Sequence, residues 1–281
     1  FSAGNRLSGE RTEIQLKKID CHTHIISKEV RDEYFAKTDN YAIVMQFPDS
    51  IMKNPECVET VRSDPRLFLC PAVDMKAPAD SQVKALRAMI ADPENKIVGL
   101  KIYTSYQRGA ADDEKLFPIY DFCAEERLSV TFHTGICSLV LPSDQDLEGS
   151  GANHIAKAAE KFPTVNFIAA HMDDPYYERC TEIMATHDNV WSDFCGIYET
   201  GAKECEDIDG TIGIFRKAIA ANPGCIRRMM YGTDFCPPIN LSQIEEYDYS
   251  IEKLFDSEDF DDIYFGNAMR AFPRLADYIK L

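Results

Sequence analysis

Ile19-Asp20-Cys21-His22-Thr23-His24-Ile25 (IDCHTHI) is the stretch on which both the fold and the chemistry turn. As a β-strand, its period-two alternation puts His22 and His24 on one face and turns Thr23 to the other. Two neutral imidazoles so placed can hold one cation together, since imidazole is a common ligand for zinc and neighbouring transition metals. The pair is half of a candidate metal site, to be completed from elsewhere in the chain. Two ordinary polar residues on a half-buried strand give the same pattern, so the other segments must decide.

Seven more apolar runs follow, separated by longer amphipathic stretches: Tyr41–Phe47, Leu67–Asp74, Ile97–Tyr103, Ser129–Gly135, Asn166–Met172, Asn189–Cys195 and Arg228–Cys236. Between two of them, Leu116, Ile119, Tyr120 and Cys123 recur at helical spacing within Glu114–Arg127, and a second helical run covers Ala79–Ala91. The strand interiors are rich in Ile, Val, Phe and Met, as expected of parallel strands covered on both faces. Eight such units without a linker predict one (β/α)8 barrel, the TIM-barrel class, over residues 19–281, preceded by an N-terminal extension of residues 1–18. A doubly wound open sheet is the alternative, and no G-x-G-x-x-G turn follows the first strand to support it.

The bulk numbers agree with a folded enzyme-sized domain. The 281 residues are 45% hydrophobic and 27% charged, close to globular averages. With 30 basic against 47 acidic residues, the net charge of −17 repels phosphate backbones and anionic lipid, so no nucleic-acid or membrane partner is expected. No apolar run reaches the ~18 residues of a membrane span. The ten cysteines are scattered without a C-x-x-C pair, which reads as small buried hydrophobes in a reducing compartment, with the cytoplasm as the expected location.

In a barrel of this class the active site lies at the carboxyl ends of the strands. That is where this chain collects its metal-competent side chains: His22 and His24 on strand one, Lys101 late in strand four, His133 and His171 ending strands five and six, and Asp234 ending strand eight. Four of the six histidines fall there. His154 lies in a helical run instead, and His187 near a helix C-terminus, where it suits a cap or dipole partner. Tyr103, Thr104 and Tyr106 follow Lys101 and are expected to line the pocket. Cys195 and Cys236 are read as packing residues. The loops 143–152 and 196–210 face the same end, either one a candidate lid.

The segments IDCHTHI, VGLKIY, VTFHTG, FIAAHMDD, NVWSDFCG, MMYGTDFCPP and YFGNAMRAF, in that order over residues 19 to 273, resemble the amidohydrolase superfamily. Within it, they are most similar to the amidohydrolase-2 branch that includes aminocarboxymuconate-semialdehyde decarboxylase-like enzymes. One departure is Asp173-Asp174, where members often carry two glycines. The resemblance implies that His22, His24, His133 and Asp234 ligate one catalytic divalent metal, zinc first and manganese, cobalt or iron as alternatives. It implies that His171 orients or deprotonates the metal-activated water, and that Asp234 relays a proton to the leaving group. Lys101, with Tyr103 and Tyr106, would bind a substrate carboxylate. Lys101 is alternatively paired with Asp74 or Asp193, or carbamylated and bridging two metals. The implied activity is hydrolysis of a small carboxylated lactone, ester or amide, with non-oxidative decarboxylation as the alternative. Members often dimerise, so a homodimer is expected.

Overall fold

The computed structural model describes residues 17–137, 143, 146–198, 206–237 and 244–280. The expected N-terminal extension lies outside the described residues except for Lys17 and Lys18. Parallel strands alternate with helices around a TIM barrel: β1 (Ile19–Thr23), β2 (Tyr41–Met45), β3 (Leu67–Cys70), β4 (Ala72–Val73), β5 (Gly99–Ile102), β6 (Ser129–His133), β7 (Phe167–Ala170), β8 (Val190–Phe194) and β9 (Met229–Tyr231). The helices that matter below are α1 (Lys28–Phe35), α2 (Ala152–Lys161) and α3 (Tyr177–Thr186).

All eight expected strands are present in order, each shorter than its apolar run. The third is divided in two. Pro71 stands between β3 and β4, and a proline has no N–H to give a ladder, so the strands form one arc of β1-β2-β3 and one of β4 through β9. The arcs are joined by single bridges. On one side Leu69 donates to Lys96 O at 2.9 Å and accepts from Val98 N at 3.0 Å, and the Pro71 carbonyl accepts from Lys101 N at 2.9 Å. On the other, Thr23 bridges Phe235, with Asp234 N donating to His22 O and His24 N donating to Phe235 O, both at 2.8 Å.

Alternation sorts the apolar side chains into two clusters. Ala42, Val44, Leu67, Leu69, Leu100, Ile102, Val130 and Phe132 point outward onto the helices, whereas Ile43, Met45, Phe68, Cys70, Ile168 and Met230 point into the barrel. The C-terminal residues Phe272, Leu275 and Ile279 plug the amino end of that interior. In β1 the alternation is broken. Its register against β2 shifts between Asp20 and Thr23, so Ile19 and Cys21 join the interior cluster while His22, of opposite parity, also turns into the site above it. The nine described cysteines are free and buried, as expected of small hydrophobes. His187 caps α3, its ring 3.1 Å from Ile183 O, also as expected. Among the described residues no helix is long and apolar enough to cross a membrane.

Candidate metal centre and active site

Strand β1 and the segment after β9 meet at the barrel mouth, and their main-chain pairing brings His22, His24 and Asp234 together. His22 Nε2 lies 3.5 Å and His24 Nε2 3.1 Å from Asp234 Oδ1. The other nitrogen of each ring is held from behind: His22 Nδ1 is 2.8 Å from Asp193 Oδ2, and His24 Nδ1 is 2.9 Å from Met45 O. Both partners are acceptors, so each Nδ1 carries the proton and each Nε2 lone pair faces the carboxylate. Burial, then the neighbouring Lys101, push His22 well below its ordinary value, which keeps it neutral. Three acceptors aimed at one point repel each other unless a positive charge lies between them. The set therefore fits a divalent cation.

Four imidazoles run on from this point. His22 and His171 have ring centroids 5.0 Å apart, His171 and His133 4.6 Å. His133 does not join the three-residue group. Its Nδ1 is 3.1 Å from His171 Nε2, its Nε2 is 3.3 Å from Ile136 O, and burial pushes its pKa well down. His171 is not on a strand as expected. It opens a turn after β7 in which His171, Met172 and Asp173 have φ of 63°, 51° and 60°, a left-handed run that costs non-glycine residues roughly 1 kcal/mol each. Gly196, itself at φ 69°, packs against the His171 ring.

Lys101 is fully buried in β5, its Nζ 3.1 Å from His22 Nε2 and 5.2 Å above the Tyr103 ring. Burial lowers its pKa. The pairing with Asp74 is not formed: Asp74 accepts from Gln107 and from Lys76 N, and Asp193 is spent on His22. Tyr103 donates its hydroxyl to Gln46 O and stacks between Phe47 and His133, and Tyr106 meets His133 edge-on at 4.8 Å. Together they form an aromatic wall beside the histidines.

Three residues matter more than their place in the sequence suggested. Asp193 accepts from His22, from His171 N at 2.8 Å and from Cys195 Sγ at 3.0 Å, so one carboxylate orients two histidines. Cys195 lies 3.3 and 3.4 Å from the Nδ1 atoms of His22 and His171, and is a buried spacer between them. Asp20 accepts from Thr233 N, Thr233 Oγ1 and Tyr34 of α1, fixing the chain one residue before Asp234.

This geometry has a family. The Amidohydrolase profile matches residues 19–274, nearly the whole chain. The chain belongs to the amidohydrolase family. That makes it an enzyme of a metal-dependent, TIM-barrel type, as the resemblance implied. Comparison with curated proteins returns no match. Three solved structures similar to this amidohydrolase are a TIM-barrel protein from Bordetella bronchiseptica (14% identity, TM-score 0.65, covering 92% of this chain and 99% of that one), a putative 2-pyrone-4,6-dicarboxylic acid hydrolase from Pseudomonas putida (13%, 0.63, 93% and 99%) and a 5-carboxyvanillate decarboxylase from Sphingomonas paucimobilis (13%, 0.61, 92% and 99%). At such identities the likeness is one of fold.

Proposed function

We propose that this amidohydrolase holds one divalent cation, zinc by preference, through His22, His24 and Asp234, and hydrolyses a small carboxylated lactone, ester or amide. The observation that carries the reading is the convergence of two inward Nε2 lone pairs and one carboxylate oxygen, each imidazole locked from behind by an acceptor. Two imidazoles and a carboxylate are a donor set that zinc favours. A divalent cation bound there supplies a positive charge that polarises a carbonyl and lowers the pKa of water toward neutrality. His171, one ring away from His22, is placed to take the proton of an attacking water, and Asp234 to pass one to the leaving group. His133, paired to His171 Nε2, keeps that ring aimed and widens the ligand set if it turns inward. Lys101 offers the buried cationic group for a substrate carboxylate, beside the aromatic wall of Tyr103 and Tyr106.

The fold is shared with a 5-carboxyvanillate decarboxylase as well as with a putative 2-pyrone-4,6-dicarboxylic acid hydrolase, which supports a second reading, in which the same cation and Lys101 hold a carboxylate that leaves as carbon dioxide. Elemental analysis of protein purified without chelator, on wild type and Asp234→Asn, tests the centre. The reading expects near one metal per chain, lost in the variant. Two metals would instead point to a carbamylated Lys101 as a bridge, and a protein that takes up none would overturn it. Proton release against carbon dioxide release, over lactones, esters and carboxylated aromatics, then separates hydrolase from lyase.

A further inference from the structure

The His171 turn is strained, and something must hold it. His171 N donates to Asp193 Oδ1 at 2.8 Å, and Asp173 N donates to Thr134 Oγ1 at 3.0 Å, but these fix only the main chain. The Asp173 side chain is 1% exposed, a carboxylate in the floor beside the site, and its one cationic partner among the described residues is Arg179 on α3, with Nε 2.5 Å from Oδ2. Arg179 also reaches Glu148 at 3.6 Å, and its guanidinium fills the space where a side chain on Gly151 would stand, 2.6 Å from that Cβ position. The loop leading into α2 and the turn carrying His171 are thus fastened to one guanidinium.

We propose that Arg179 is a positioning residue for His171: its pairing with the buried Asp173 carboxylate holds the left-handed turn that aims the imidazole between His133 and His22. Without that cation the buried carboxylate is left uncompensated, and whether it takes up a proton or turns toward water, it loses the pairing that ties the turn to α3. A glycine at 173 adopts the same φ without strain and carries no charge to compensate, so it removes the need for Arg179. The inference rests on the reading of His171 as the proton-moving group, but its readout does not.

The test follows the side-chain resonances of the six histidines by imidazole proton–nitrogen correlation in zinc-loaded protein, with His171 assigned by its loss in His171→Asn. In Arg179→Met, the His171 and His133 signals should shift or broaden while those of His22 and His24 and the zinc affinity stay as in wild type. Adding Asp173→Gly should restore them. With any substrate the enzyme turns over, kcat should fall by up to roughly 100-fold at unchanged KM and recover in the double variant. Unchanged His171 signals in Arg179→Met, or signals that move and are not restored by Asp173→Gly, overturn the proposal. If Arg179→Met does not fold, the double variant decides: native His171 signals support the proposal, and displaced signals or an unfolded chain sink it. A His171→Asn enzyme of full activity would defeat the functional reading and leave this one standing.

Discussion

Replacing Asp193 by asparagine keeps the shape of the side chain and removes one acceptor. The carboxylate takes the His22 Nδ1 proton on Oδ2 and both His171 N–H and the Cys195 thiol on Oδ1, so each oxygen faces donors only. An amide has one oxygen and one NH2. If the NH2 faces His22, the imidazole must switch tautomer and place its proton on Nε2, which removes the lone pair offered to the cation. Loss of such an orienting partner costs about 10- to 100-fold in metal affinity, or about 1.4 to 2.7 kcal/mol. If the NH2 faces His171 instead, a fully buried backbone donor loses its acceptor, at about 1–3 kcal/mol of stability and a fall of several degrees in Tm. Both orientations do harm, by different routes. Zinc affinity by competition with a chromophoric chelator, and Tm on the same samples, distinguish them. A variant with wild-type affinity and wild-type Tm would refute the claim that Asp193 orients the histidines.

Gly196→Ala should destabilise the protein by more than about 1 kcal/mol, because it adds a side chain in the left-handed region and drives its Cβ into the His171 ring; melting temperature and turnover should fall together. At Asp112, burial raises the carboxyl pKa, but hydrogen bonds from His154 and Lys157 outweigh it and hold the group below its ordinary value. A depressed folded-state pKa adds stability that is fully present above the unfolded value, about 4, and lost as pH falls through the folded one. Urea midpoints of Asp112→Asn should therefore approach those of wild type as pH drops below about 4, with the largest gap above about pH 5.

How much of this was legible follows the range of each interaction. The strands were visible because runs such as YAIVM and SVTFH carry their own pattern, whereas the third run reads as one strand straight through Pro71, where the structure divides it. The strand ends placed His22, His24, Lys101 and Asp234 near one another, since parallel strands of a barrel deliver their ends to one face. Ring direction was not legible. His133 sits where expected, yet its Nδ1 meets His171 because of a left-handed turn after β7 that His171-Met172-Asp173, without a glycine, gives no reason to expect. Asp193 and Asp20 act on residues 171 and 213 positions away, and no local periodicity records contacts of that span. The bulge in β1 escaped for a related reason: strict alternation placed the two histidines correctly while giving no hint that Cys21 shares their side of the strand.

The single bridge between Thr23 and Phe235 has a mechanical meaning. His22 and His24 belong to the three-strand arc and Asp234 follows the last strand of the six-strand arc, so the bite of the proposed metal site is measured across a seam. Two main-chain hydrogen bonds, Asp234 N to His22 O and His24 N to Phe235 O, are the hinge pins of that seam. Breathing of the two arcs would change the distance between imidazole and carboxylate, along with the contacts of Asp193 to His22 and of Thr233 to Asp20 that cross the same seam, which makes the amide protons of His24 and Asp234 natural reporters of a cation held there.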